Sequence, residues 1–79
     1  MKQKRIRLSS AEDVRAFVNA AMKCEFDINV FYNRVVIDAK SILGVMSLDL
    51  TRVLTVEYSG YDERFEAFLE KKAAGATAA

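Results

Sequence analysis

Asp38-Ala39-Lys40-Ser41-Ile42-Leu43-Gly44-Val45-Met46-Ser47-Leu48 reads as a short helix behind a serine cap. Ser41 opens it, because a serine hydroxyl accepts from one of the amides that a helix start leaves without a partner. Ile42, Leu43, Val45, Met46 and Leu48 are its apolar members. A helix this short cannot bury apolar side chains all round. Some of them must therefore reach the surface: by helical spacing Ile42, Leu43 and Met46 could all be core, and Val45 and Leu48 read as the inward-facing pair. Branched aliphatics beside a methionine make an adaptable protein-binding surface.

Working outward, Val35-Val36-Ile37-Asp38 precedes the block as a β-rich run, and Asp27-Ile28-Asn29-Val30-Phe31-Tyr32 is a second. Only Asn33-Arg34 separates them, which is hairpin spacing, although Asn-Arg is a weaker turn signal than Asn-Gly. Upstream, Val14, Phe17, Val18 and Ala21 recur at helical spacing behind Ser9-Ser10. Glu12 follows Ser9 by three residues and Asp13 follows Ser10 by three, a capping-box pattern with acid in the first turn. That helix should run to Lys23 or Cys24. Lys4-Arg5-Ile6-Arg7-Leu8 alternates charged and apolar residues, placing Ile6 and Leu8 on one face of a strand. Downstream, Val53-Leu54-Thr55-Val56-Glu57-Tyr58 is a further strand. Asp62 caps a last helix with Glu63 in its first turn, Phe65, Phe68 and Leu69 inward, Lys71 and Lys72 at its negative end, and Gly75 as its stop.

The order β-α-β-β-α-β-α gives every strand and helix one apolar face to bury. An α+β fold follows: an open-faced β-sandwich in which a four-stranded antiparallel sheet carries the helices on one face. Periodicity alone equally permits a ferredoxin-like arrangement. A chain of 79 residues holds one core, so residues 1–73 form a single domain and 74–79, an alanine-rich stretch with nothing to bury, fray.

Composition removes several function classes. The chain is 52% hydrophobic with a formal charge of +1, a folded protein rather than a disordered or nucleic-acid-coating one. Its single cysteine forms no internal disulfide and suits a reducing cytoplasm. No apolar run reaches bilayer length, and the basic N-terminus lacks the apolar core of a secretory signal, so no membrane association is expected. Histidine is absent altogether. With one cysteine and no histidine there is no metal-ligand pattern, no cofactor is expected, and no base or nucleophile pair supports an enzyme.

The block Lys40–Leu48 closely resembles the Lys-Ser-aliphatic-aliphatic-Gly-aliphatic-Met-Ser-Leu signature of HPr, the phosphocarrier of the bacterial sugar phosphotransferase system. The layout of the remaining chain is similar too, apart from the catalytic loop, and the resemblance selects the HPr-like sandwich over the ferredoxin-like one. HPr carries a phosphoryl group on a histidine within a Gly-aliphatic-His-Ala-Arg-Pro loop before its first helix. Counting back from the signature without gaps sets Ser10 at the position of the lost histidine, Glu12 at the arginine and Asp13 at the proline. Strand and helix are here joined almost directly by Ser9-Ser10, and two carboxylates replace a positive clamp. The resemblance thus implies a degenerate member that does not carry phosphohistidine, similar to the histidine-lacking paralogue called catabolite-repression HPr.

By the same resemblance Ser41 matches the serine that a dedicated kinase phosphorylates in carbon catabolite repression, with Lys40 as an adjacent counter-charge. A phosphate's charge of about −2 suits a helix start, yet a serine there is equally accounted for as an N-cap. Ile42, Leu43, Met46 and Lys40 match the docking patch for protein partners, an HPr kinase or a transcriptional regulator among them. The rival reading is a structural or self-associating domain, a homo-oligomer built on that patch with Ser41 merely a cap. Cys24 reads as a small buried hydrophobe. Lys2, Lys4, Arg5 and Arg7 read as a solvated strand edge rather than a nucleic-acid surface, and Tyr32 and Tyr58 as core or rim residues with wet hydroxyls.

Overall fold

The computed structural model describes residues 1–74. Its elements are β1 (Lys2–Ile6), α1 (Ala11–Met22), β2 (Ile28–Tyr32), β3 (Val35–Asp38), α2 (Ile42–Met46), β4 (Leu54–Tyr58) and α3 (Glu63–Lys71). The sheet runs β1-β4-β2-β3 and every neighbouring pair is antiparallel. Placing β4 between β1 and β2, with β3 at an edge, is the open-faced sandwich order. A ferredoxin-like sheet would instead place the hairpin strand β3 between β1 and β2.

The alternation of each strand decides which face is covered. Ile6, Ile28, Val30, Leu54, Val56 and Tyr58 turn to the helices and are buried. Gln3, Arg5, Asn29, Phe31, Val36, Thr55 and Glu57 occupy the opposite face by the same period of two. From α1 come Val14, Phe17, Val18 and Ala21, from α2 Val45, and from α3 Phe65 and Leu69, all in one apolar cluster. Phe17 lies between Phe65 and Phe68, with ring centroids 6.2 and 6.0 Å away. Fully burying one such ring contributes about 1.5–3 kcal/mol, so the α1–α3 seam is a main source of stability.

α1, β2 and β4 each differ from the sequence reading by a residue or two at one end, and the ends of β1 and α3 differ for a structural reason. β1 begins at Lys2 and stops at Ile6 rather than running from Lys4 to Leu8, because the Arg7 amide turns to the carbonyl of Lys72, 2.9 Å away. Leu8 is still buried, now as part of a connection into α1. The strand–helix link is therefore residues 7–10 rather than Ser9-Ser10 alone. α3 ends at Lys71 with Lys72 as its C-cap, ahead of Gly75, which lies outside the described residues. Beyond the helix the chain returns to the sheet: Ala73 bridges Ile6 and the Ala74 amide donates to Arg5 at 2.9 Å. The hairpin forms on the weak Asn-Arg signal because Asn33 accepts a left-handed φ of 53°, a conformation asparagine tolerates better than most side chains.

Candidate functional site

α2 is held by two opposed demands. Val45 and Leu48 anchor it in the core at 0% and 6% exposure, while Leu43 is 81%, Met46 45% and Ile42 40% exposed. This is the division that a five-residue helix forces. Gly44 explains how so short a helix sits close to the sheet: a Cβ there would lie 2.6 Å from Cγ2 of Ile37 and 3.0 Å from Oγ of Ser41. Any side chain would push α2 off β3 and crowd the cap. Ser41 is exposed, and its hydroxyl accepts from the Gly44 amide at 3.1 Å. No acidic residue stands in the first turn of α2. The hydroxyl therefore satisfies one amide and leaves the positive end of the helix without a carboxylate. At the other end Ser47 donates from Oγ to the carbonyl of Gly44 at 2.6 Å, a contact that spacing did not single out.

Lys40 is placed differently from its position in the sequence. Its ammonium donates to the carbonyl of Cys24 at 2.9 Å, beyond the last turn of α1, rather than standing free beside Ser41. No sequence signal joins these two residues, since the contact depends on α1 and α2 lying side by side. Cys24 is buried, its Sγ donates to the carbonyl of Ala20 at 3.5 Å, and burial pushes the thiol up from its ordinary pKa. A thiol so placed is a packing group and not a nucleophile.

The start of α1 is built from the same chemistry with a different outcome. Ser10 is the N-cap, and its Oγ accepts from the Asp13 amide at 3.2 Å. Asp13 reaches back one residue further than a standard capping box. Oδ2 accepts from both the amide and the hydroxyl of Ser9 at 2.9 Å, and Oδ1 accepts from the Lys72 ammonium at 2.9 Å. The Ser9 amide, the Lys72 ammonium and the Ser9 hydroxyl hold this carboxyl at a pKa of about 2, below the ordinary 3.8. The Ser9 and Lys72 donors beside the helix start are thus occupied by the protein's own carboxylate. Lys72 completes the arrangement from the far end of the chain, which spacing could not indicate.

Of the N-terminal bases Lys2 is tied down, while Lys4, Arg5 and Arg7 are exposed. Lys2 pairs with Glu66 at 3.4 Å and lies over the rings of Tyr58 and Tyr61, while Gln3 donates to Glu57 at 3.0 Å. Tyr58 corrects the expectation of a wet hydroxyl: it donates to Glu66 at 2.6 Å inside a largely buried cluster. Burial and the Glu66 carboxylate push that phenol up from its ordinary pKa. Among the described residues, no helix is long and apolar enough to cross a membrane.

Residues 10–73 match the family described as PTS HPr component phosphorylation site, and the chain belongs to the PTS HPr family. Proteins of this family are phosphocarriers, not enzymes. The fold is similar to that of HPr-C-His from Thermoanaerobacter tengcongensis, with 28% identity, a TM-score of 0.72 and coverage of 90% of this chain and 93% of that one. It is similar to the phosphocarrier protein HPr of Bacillus anthracis, with 29% identity, a TM-score of 0.69 and coverage of 90% and 95%. It shares its fold with Crh, the catabolite repression protein of Bacillus subtilis, at 24% identity, a TM-score of 0.63 and coverage of 87% of each chain. That protein is described as a dimer with a swapped domain.

Proposed function

We propose that this chain is a regulatory, protein-binding member of the HPr family that carries no phosphate on histidine and is controlled, if phosphorylated, at Ser41. The observation that carries the reading is a pairing within one family member: histidine is absent from the sequence, while the signature serine remains exposed beside Ile42, Leu43 and Met46. The start of α1 supports it. Ser10, the counterpart of the lost histidine, caps the helix, and Asp13 sets a carboxylate bonded to Ser9 and Lys72 beside that cap. A phosphate brought there would meet a carboxylate ionised at every physiological pH.

Phosphorylation of Ser41 would place a charge of about −2 next to an apolar patch, changing it from apolar to mixed and thereby changing which surface it fits. The partners proposed are an HPr kinase and a protein that distinguishes the two forms, such as a transcriptional regulator in catabolite repression, with Lys40 at the patch's edge. The setting proposed is the bacterial cytoplasm. Incubation with enzyme I and labelled phosphoenolpyruvate tests the first half: the protein should stay unlabelled, and acid-labile label would overturn the reading. Pull-downs from host extract with wild type and Ser41→Asp test the second, with a partner retained by one form and ignored by the other. Identical partners for both forms, and for the kinase-treated protein, would leave Ser41 as a cap alone.

A further inference from the structure

The two edges of the sheet are not alike. β1 is blunted by Ala73 and Ala74, which pair with Ile6 and Arg5, and it carries the like charges Lys2, Lys4 and Arg5. β3, at the other end of the sheet, has no strand beyond it among the described residues and reads Val35-Val36-Ile37-Asp38. Val36 is 63% and Val35 42% exposed. An apolar edge without a lysine, a proline or a covering segment is a template for pairing with another chain.

The register of the hairpin fixes which backbone groups are available. Tyr32 lies opposite Val35 and Val30 opposite Ile37, and the Ala39 amide donates to the carbonyl of Ile28 at 2.9 Å. By the alternation of antiparallel ladders, Val35, Ile37 and Ala39 bond toward β2, so Val36 and Asp38 direct their amides and carbonyls outward, while Arg34 lies in the turn that opens the strand. Of these outward groups, the carbonyl of Asp38 accepts from the Ser41 amide and retains a second lone pair.

We infer that β3 pairs antiparallel with β3 of a second copy about a two-fold axis through Val36, extending two sheets into one. In that register the outward-facing Val36 lies on the axis, and Asp38 of each chain lies beside the turn that opens the other's strand. Val36 meets Val36 of the second copy, and Arg34 of each chain meets Asp38 of the other. The charges are the argument for a second copy over another partner: the strand is self-complementary, positive at one end and negative at the other, and reversal about the axis matches both ends at once. Arg34 has no ion pair among the described residues. Asp38 uses Oδ1 for the Lys40 amide, and no described group occupies Oδ2. On the helix side, Val35 of one chain would lie against Ile37 of the other, next to α2, whose backbone at Gly44 packs on Ile37. Like any pairing over one short strand, the contact is small and gives a weak, concentration-dependent dimer. It does not depend on phosphorylation at Ser41.

Sedimentation velocity of the wild-type chain over a range of concentrations, with three variants, tests the inference. Val36→Pro removes an outward amide that serves no bond within one chain, so it should leave the fold intact by circular dichroism and abolish association. Arg34→Asp and Asp38→Arg should each weaken association on the order of ten-fold, because each places like charges opposite one another at both ends. An equimolar mixture of those two should associate again as a heterodimer, since every facing pair is then opposite in sign. If Val36→Pro fails to fold, the mixture decides alone. A wild-type chain monomeric throughout, a dimer untouched by Val36→Pro, or a mixture that stays monomeric would overturn the pairing; a domain-swapped dimer, in particular, would survive all three variants.

Discussion

Ser10 and Ser41 cap their helices with the same hydrogen bond, 3.2 Å to Asp13 and 3.1 Å to Gly44, yet the two helix starts present opposite surfaces. At α1 a carboxylate follows the cap, bonds back to Ser9 and is fixed by Lys72, so a paired negative charge already stands at the positive end of the helix. At α2 no acid follows the cap, the serine is exposed, and the neighbouring side chains are apolar and outward. The difference teaches that a cap by itself is neutral about function. What surrounds it decides whether an anion added nearby would be resisted or accommodated.

The comparison can be broken most forcefully at the anchor of α2. Leu48→Ala should cost about 2–5 kcal/mol in chemical denaturation, since Leu48 is nearly fully buried. A cost near zero would mean that α2 is not held as described and that its exposed face is not a fixed surface. The next largest effect belongs to Asp13. Its folded pKa of about 2 lies below the ordinary 3.8, so its stabilising contribution is complete above 3.8 and is lost as pH falls through about 2. Asp13→Asn should flatten the acid limb of stability against pH in that window. Asp49, held down by Thr51 and Arg52, contributes in the same direction and will remain in the variant. Ser41→Ala, which adds no titrating group, should leave that limb unchanged.

Ser41→Ala should cost about 0.5–2 kcal/mol, as should Ser10→Ala, whereas Ser41→Asp should be nearly neutral because aspartate caps as well as serine. Parallel melts of the three proteins sharpen the comparison: if Ser41→Asp destabilises strongly, the α2 start does not accommodate negative charge. Met46→Ala should have the smallest effect on melting, because the side chain is 45% exposed, yet it should weaken capture of any partner of the α2 patch. Unfolding by Met46→Ala and tolerance of Leu48→Ala would together reverse the two faces.

How much of this was legible in the sequence follows from the range of each interaction. Element order, the Ser41 and Asp62 caps and the inward pair Val45 and Leu48 depend on residues three or four apart, and these were readable from spacing. The signature glycine was readable as a letter but not as a contact, since its closeness to Ile37 requires α2 to be laid on β3. Asp13 with Lys72, Lys40 with Cys24 and Tyr58 with Glu66 were not foreseen, because each joins elements that only the packed helices bring together. The end of β1 was misplaced for the same reason: Arg7 leaves the ladder for a carbonyl at the end of α3. The site's outline was therefore local and legible, while its electrostatics were tertiary.

Where phosphate goes separates a regulatory Ser41 from a serine that only caps α2. Intact-mass measurement and peptide mapping after treatment with an HPr kinase and ATP, using a kinase shown to be active on its own HPr, tests this most directly. One phosphate on the wild-type chain, mapped to Ser41 and absent from Ser41→Ala, is the predicted result. No gain in mass, or a phosphate mapped to Ser9 or Ser10, would contradict it.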